Sequence, residues 1–365
     1  MKITSEKELA DLVAAARGPV AVQGGGTRGV ALLGEVADLS GLRGVTLYEP
    51  GALTLVVKAG TALAEVEGLL AAKGQRLAFE PADWRGLLGT RGAPTIGGAI
   101  AANISGPRRV QAGAARDALL GVRFVDGTGA VIKNGGRVMK NVTGYDLVKL
   151  MAGSWGTLGI LTEVALKVLP APQALATLIL PGLDPLQAVR AMAAALGSPY
   201  DVTGAARLPG GDVLIRLEGF SGSVSYRAER LAAVLAKVAV ARVETAAQAN
   251  EDLWRDVRDV AVFHGKPGDV WRFSLVPSEA PAIMARLGGE VLMDWGGGLL
   301  WVLLPEGTDA RALAAPYRGH AMLIRASTDT RLARFQPEGP TVAALSAGLR
   351  ARFDPRGILN PGLMG

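Results

Sequence analysis

No cysteine occurs anywhere in the 365 residues of this chain. That absence excludes disulfides, thiolate metal sites, Cys-ligated iron–sulfur clusters and cysteine nucleophiles. Histidine is nearly as scarce: His264 and His320 are the only two, too few for a multi-histidine metal centre. Aromatic residues supply 5% of the chain, so Ala, Leu and Val must build most of the core. No apolar run free of charge or glycine reaches the ~18 residues a membrane-spanning helix needs, so no span is expected. Residues 1–12 carry acidic side chains early and no apolar signal region, which makes the cytoplasm the expected location. The net charge of +6 comes from scattered Lys and Arg, with no basic run and no aromatic interleaving. Nucleic acid is therefore not an expected partner.

What the chain has in quantity is glycine, 49 residues of it, much of it clustered where the backbone faces special demands. The length suggests two or three domains of ordinary size. Ser5 and Glu8 have capping-box spacing ahead of Leu9, Leu12, Val13 and Ala16 on one helical face, and Gly18-Pro19 ends that helix. A short strand, 20–22, runs into the first glycine cluster. Leu53, Leu55 and Val57 alternate as a strand, after which Thr61 is expected to cap a helix carrying Leu63, Val66 and Leu70. Residues 119–125 and 130–133 read as a hairpin around Asp126-Gly127-Thr128-Gly129, and 145–152 as a short helix. Alternation is clean from Ile160 to Val168, and Pro170 and Pro172 mark a boundary. Beyond them, strand-like runs (176–180, 213–217, 270–276, 299–304, 320–325) alternate with amphipathic helices near 184–196, 225–238, 248–260 and 278–287. That texture predicts an antiparallel sheet with helices on one face. A last helix spans about 341–352. The fold class read from this order is α+β.

Four stretches carry chemistry. Gln23-Gly24-Gly25-Gly26-Thr27-Arg28 follows a strand, and consecutive glycines let backbone N–H groups converge on an anion such as a pyrophosphate. It is neither a P-loop nor a G-x-G-x-x-G fingerprint, and taken alone it also reads as a tight turn. Pro94-Thr95-Ile96-Gly97-Gly98-Ala99-Ile100-Ala101-Ala102-Asn103 is a second small-residue stretch that permits close backbone approach. Gly113 and Arg116-Asp117 come next, and then Gly153-Ser154-Trp155-Gly156-Thr157-Leu158-Gly159-Ile160.

In this order the stretches resemble the FAD-binding domain of the vanillyl-alcohol oxidase / p-cresol methylhydroxylase class, over residues 1–170 and the C-terminal tail. Within that class the chain is similar to the FAD-binding subunits of bacterial glycolate oxidases. Phe79-Glu80-Pro81, Ser105-Gly106-Pro107-Arg108-Arg109, residues 138–147, Leu253-Trp254, Trp271-Arg272 and Gly319-His320-Ala321 carry this second resemblance. It implies a two-lobed FAD-binding domain (lobes 1–55 and 56–170), a cap over 171–327, and a segment 328–365 that returns to the FAD domain. It implies FAD held by Gln23, Gly24, Gly25, Gly26, Thr27, Arg28, Pro81, Thr95, Ile96, Gly97, Gly98, Ala102, Asn103, Gly113, Arg116, Asp117, Gly156, Gly159, Ile160 and Asn360. Asn360, in Leu359-Asn360-Pro361-Gly362, reads equally as a turn former. Trp155 reads either as stacking near the cofactor or as simple packing.

Two departures from the class bear on function. The first glycine turn lacks the histidine that attaches the flavin in many relatives, so non-covalent FAD is expected. The His-rich H-x-G-D-G-N-x-H stretch of the 2-hydroxy-acid dehydrogenases of the class is missing. Removing hydride from a hydroxy acid needs a base for the hydroxyl proton. The candidates are His320, then His264, with Arg272 or Arg325 to hold a carboxylate; each histidine also has a structural reading. The resemblance implies partners: a larger FAD subunit, an iron–sulfur subunit, and through them the inner membrane. Under that reading the larger subunit oxidises a small 2-hydroxy acid and this chain relays electrons or supports the assembly. A stand-alone flavin oxidase or dehydrogenase, and a structural subunit retaining FAD, are the other readings.

Overall fold

The strands among the described residues sort into three sheets. The computed structural model describes residues 1–137, 144–327 and 329–364, so residues 138–143 of one quoted motif lie outside it. The first sheet pairs Val20–Gln23 in parallel with Glu35–Asp38. It is covered by helix Glu6–Ala15, whose buried Leu9 and Val13 meet Val20 and Ile160. Ser5 caps that helix by accepting from Glu8 N, while the Glu8 carboxylate reaches one residue further back than a capping box requires, to Thr4 N.

The second sheet is antiparallel, ordered Val45–Glu49, Thr54–Lys58, Ile160–Pro170, Leu119–Val125, Val131–Gly135, with Gln75–Leu77 paired to the far end of the central strand. Ile160, Val164, Leu166 and Val168 on that central strand are fully buried, and Glu163 and Lys167 are not. Thr61 does not cap helix Leu63–Ala71 as expected. Its hydroxyl donates to Lys58 O and accepts from Gly44 N, closing the turn before the helix, and the cap position falls to Ala62.

The third sheet has eight strands, ordered Arg242–Glu244, Ala174–Leu180, Val213–Gly219, Val202–Arg207, Glu290–Asp294, Leu299–Leu304, Asp269–Leu275, Gly319–Arg325. Side-chain alternation splits it into two faces. Leu178, Leu180, Val213, Ile215, Trp271, Phe273, Leu300 and Val302 face helices Pro185–Leu196, Ser221–Leu235 and Ala280–Leu287 in the largest core. The opposite residues, among them Val270, Leu292, Leu299, Trp301 and Ile324, pack on Ala82, Trp84, Leu87 and Ile104 of the N-terminal part. Helix Ala247–Asp259 also lies on this second face, through Trp254 and Val257. Three strands were not anticipated. Val202–Arg207 holds Gly204 and two alanines, poor strand formers; a Cβ on Gly204 would sit 2.8 Å from the Trp254 ring.

A buried ionic cluster joins the sheet to the N-terminal part. Glu218 takes Arg76 at 2.7 Å and Arg108 at 2.8 Å; Glu80 takes Arg216 at 2.8 Å and Arg108 at 3.0 Å. Arg216 is fully buried, lies 4.5 Å over the Trp254 ring, and donates to Thr203 O as well. The tail closes on the first sheet: Val20 N donates to Ile358 O and Asn360 N to Val20 O. Helix Pro340–Phe353 buries none of its side chains. No helix among the described residues is long and apolar enough to cross a membrane.

Because the ionic cluster is desolvated, removing one member strands the others. Glu218→Ala should lower the unfolding free energy by about 3–5 kcal/mol in urea titration, whereas Lys7→Ala, in an exposed pair with Asp11, should change it by less than about 0.5 kcal/mol. Burial pushes the Glu80 and Glu218 carboxyls up, but the facing Arg216 and Arg108 guanidinium groups outweigh it and hold both below the usual range. Their stabilisation is therefore complete above the unfolded-state value of ~4.3 and is lost as pH falls through and below it. The melting temperature should drop on acidification through that window, and less steeply in Glu218→Gln.

Candidate functional site

A long cleft opens where the first glycine turn faces helix Ile96–Ala101. It is lined by residues 22–30, by Ala59, Thr95, Gly97, Gly98, Ala101 and Ala102, by Trp155, Gly156, Gly159 and Leu161, and by Asn360 and Leu363 of the tail. About 260 Å³ of it is open to the centre of a water-sized sphere. Among the described residues, none of the consecutive backbone N–H groups of Gly24, Gly25, Gly26, Thr27 and Arg28 has a protein acceptor. A row of unused N–H donors on one turn is an anion-binding concavity.

The glycines of this turn are explained by the loop behind it. A Cβ on Gly25 would lie 1.7 Å from Ala93 O and one on Gly24 2.5 Å from Thr95 Oγ1. The two loops pack backbone to backbone, and the N–H row is left facing the cleft. The second loop contributes differently from expectation. Ile96 N donates to Thr61 O, Gly97 N to Ala59 O and Gly98 N to Thr95 Oγ1, so these donors are already used. Thr95, Gly97, Gly98 and Ala102 form wall rather than free donors. Asn360 ties the cleft shut at one side: its Oδ1 accepts from Val22 N at 2.8 Å and its Nδ2 donates to Trp155 O at 2.9 Å.

Other expected cofactor residues fall outside the cleft lining. Ile96 and Ile160 are fully buried in the core, and Pro81 is buried beside Glu80. Asn103, in the left-handed region at φ 49°, accepts from Arg116 N through Oδ1. Asp117 accepts from Ala114 N, and Gly113 at φ 82° makes room for its carboxylate. Arg116 pairs loosely with Asp117 at 3.8 Å on the surface.

Trp155 and Ala102 are shared with a second, smaller chamber between the N-terminal part and the cap sheet. Its other walls are Ala82, Trp84, residues 103–106, Arg258, Arg272, Asp294, Leu299, Trp301 and Met322. About 30 Å³ is open to a water-sized centre, against the ~10–15 Å³ that one water needs. The cleft admits an elongated molecule; the chamber admits a few atoms.

Arg272 is the cationic group of this chamber. Its guanidinium stacks 5.1 Å from the Trp295 ring centroid and 5.9 Å from that of Trp301. Among the described residues it meets no hydrogen-bond acceptor and no carboxylate. Burial, and then Arg109, which also stacks on Trp295, pull its pKa down to about 10, which leaves it charged at neutral pH. Asp294, a residue the sequence reading passed over, is 3% exposed and accepts only from Trp295 N, at 2.7 Å. Burial pushes its pKa up to about 8, against the pull of that hydrogen bond and of Arg216. The Trp84 indole N–H is buried and has no partner.

The remaining candidates take other places. His320 lines neither space; it is exposed at the start of strand Gly319–Arg325, and partial burial with the nearby Arg272 and Arg109 holds its imidazole below the usual range. His264 packs on Gly86, where a Cβ would lie 2.3 Å from its ring, and its Nε2 sits 3.0 Å from Asp259 O. Arg325 is no carboxylate holder: its guanidinium is spent on the carbonyls of Gly268, Leu87, Phe263 and Lys266.

Comparison with known proteins agrees with this geometry. Residues 1–135 match the family model of the FAD binding domain. The glycolate oxidase subunit GlcE of Escherichia coli is 35% identical over 95% of this chain and 92% of its own length. Shorter matches are to the glycolate oxidase subunit GlcD of Bacillus subtilis (45% over 23% of this chain and 18% of that protein) and a D-lactate dehydrogenase of Anaerostipes hadrus (47% over 24% and 18%). In fold, solved structures of alkyldihydroxyacetonephosphate synthase superpose with TM-scores of 0.72 and 0.70 at 17% identity, covering 99% of this chain and 76% of theirs. With a free N–H row on its first glycine turn, an FAD-binding domain around it and near full-length similarity to GlcE, the chain belongs to the GlcE family of FAD-linked oxidoreductases.

Proposed function

We propose that this chain is the FAD-binding subunit of a multi-subunit oxidase or dehydrogenase of glycolate or a related 2-hydroxy acid, with its FAD held non-covalently. The observation that carries the cofactor reading is the row of unpartnered N–H groups from Gly24 to Arg28 facing the cleft. They would hold the pyrophosphate, with Gln23, Thr95, Gly97, Gly98, Ala102, Gly156, Gly159 and Asn360 as close-fitting wall. Ile96, Ile160 and Pro81 support that wall from behind, and Asn103, Gly113, Arg116 and Asp117 brace its rim. Among the described residues no histidine, cysteine or tyrosine lines the cleft, which supports a flavin held without a covalent link. When bound, FAD supplies the acceptor for two electrons. By family resemblance the partners are a larger FAD subunit and a subunit carrying iron–sulfur clusters, which a chain without cysteine cannot hold through thiolates. The complex would work in the cytoplasm, at the inner membrane through those partners.

The chamber favours a second reading, in which this chain also meets the hydroxy acid itself. Arg272, desolvated and unpaired, is placed to take a carboxylate.

Acid precipitation of the purified protein should release its yellow chromophore into the supernatant, whereas a pellet that stays yellow would show a covalent link. Gly25→Val should lose FAD while a circular dichroism spectrum reports retained fold, because a side chain there collides with Ala93 O; stoichiometric FAD in that variant would remove the turn from the site. In an anaerobic visible spectrum, glycolate should leave the flavin of the isolated chain yellow and bleach it in the assembled complex. Bleaching of the isolated chain would move the oxidation to this subunit.

A further inference from the structure

The chamber next to the cleft holds three groups whose bonding is incomplete in one small space. Arg272 offers its guanidinium donors with no acceptor. Trp84, 3% exposed, has an indole N–H with no acceptor. Asp294 has one carboxylate oxygen committed to Trp295 N, and among the described residues the other has no hydrogen-bond partner. The Trp84 N–H is buried without a partner among the described residues, a cost that a ligand with a matching acceptor would offset.

We infer that this chamber binds a short-chain 2-hydroxy or 2-oxo carboxylate, its carboxylate taken by Arg272 and the Trp84 N–H and its 2-oxygen hydrogen-bonded by Asp294. The inference rests on the flavoprotein reading and deepens it by naming the groups that recognise the small ligand. Size agrees: the chamber has room for a few atoms, and Trp84, Trp301 and Met322 exclude a longer chain. Charge agrees as well. Arg272 and Arg109 both stack on Trp295, a concentration of positive charge that an anion neutralises.

Asp294 makes the binding pH-dependent, and the sign follows from its surroundings. Arg216, Glu80 and Arg272 act on it; Arg258, paired with Asp259, lines the chamber from its helix. Arg109 and His320 act on Arg272 or are acted on by it, and Glu218, held by Arg108 and Arg76, lies close to Arg216. Glu80, Glu218 and His320 are all held below their ordinary values, and Arg272 titrates near 10. Asp294, near 8, is thus the group among these that changes charge between pH 7 and 9. Below its pKa it is a neutral acid that donates to the ligand; above it, a second negative charge opposes the ligand.

The test is calorimetric titration of the intact flavoprotein, reduced anaerobically with dithionite so that glycolate cannot be oxidised. Glycolate should bind about tenfold more tightly than acetate, the worth of one hydrogen bond to a buried group. Its affinity should hold steady up to pH ~8 and then fall about tenfold per pH unit, the slope of a single ionisation. Asp294→Asn should bind glycolate with no fall up to pH 9, Arg272→Gln should lose at least about tenfold for both ligands, and Trp84→Phe should weaken both by several-fold. Each variant is first checked for one flavin per chain and an unchanged melting temperature. Equal affinities for acetate and glycolate, a flat profile for the unaltered protein, or an Asp294→Asn profile that still falls would each overturn the inference. A protein purified without flavin refutes the flavoprotein reading; a yellow protein that binds neither ligand refutes this one alone.

Discussion

The buried ionic cluster of Arg76, Glu80, Arg108, Arg216 and Glu218 is the constraint on which the rest of the structure depends. It fixes the cap sheet to the N-terminal part at a contact where apolar packing alone would allow sliding. Glu80 is held in the left-handed region at φ 45°, and its carboxylate accepts from Arg108 N as well as from Arg216. The segment after it runs past Ala82 and Trp84 into the chamber wall, and the segment after Glu218 leads into helix Ser221–Leu235. Shifting the cluster by a residue would separate Trp84 from Trp301, which now meet edge to face at 5.6 Å. Charged groups suit this role because their bonds are directional and expensive to misplace.

Around that anchor, the site divides its labour between backbone and side chain. The cleft is made by main chain: the first turn meets Ala93 and Thr95 so closely that its contact positions, Gly24 and Gly25, must be glycine, and unused N–H groups result on the open side. The chamber is made by side chains from two distant parts of the chain, packed on aromatic faces. Trp155 stands at the junction. It holds a positive φ of 52°, meets Phe335 edge to face at 5.4 Å, and its carbonyl is pinned by Asn360. It packs, and in packing it lines both spaces.

The tail is part of the same construction. Arg356 donates to carbonyls at the end of the first helix and to Gly127 O, and Asp354 accepts from Leu359 N. These bonds hold Asn360 against Val22, at the entry to the glycine turn. In helix Pro340–Phe353, which precedes the turn, Val342, Leu345 and Leu349 stay exposed; the anchoring is done by the polar segment after the helix.

Local chemistry was legible in the sequence. Alternation gave the central strand Ile160–Pro170 and the Ser5 spacing gave the first helix, and the glycine turn stood out as a candidate anion site, although taken alone it also reads as a tight turn. Resemblance placed Phe79-Glu80-Pro81, Ser105–Arg109 and Leu253-Trp254 among the informative stretches, yet nothing local to them says that Glu80, Arg108 and the residue stacked on Trp254 form one ionic cluster. Strand Val202–Arg207 stayed hidden because its Gly204 is dictated by a tryptophan 50 residues away in the chain. Arg272 was visible as a cation, but so was Arg325, and only folding decided which one is consumed by carbonyls and which is left unpaired. Asp294 carried no signal at all. A carboxylate becomes a proton-handling group by losing its water, and that loss is a property of the packed interface between the cap sheet and the N-terminal part, which no short stretch of residues encodes.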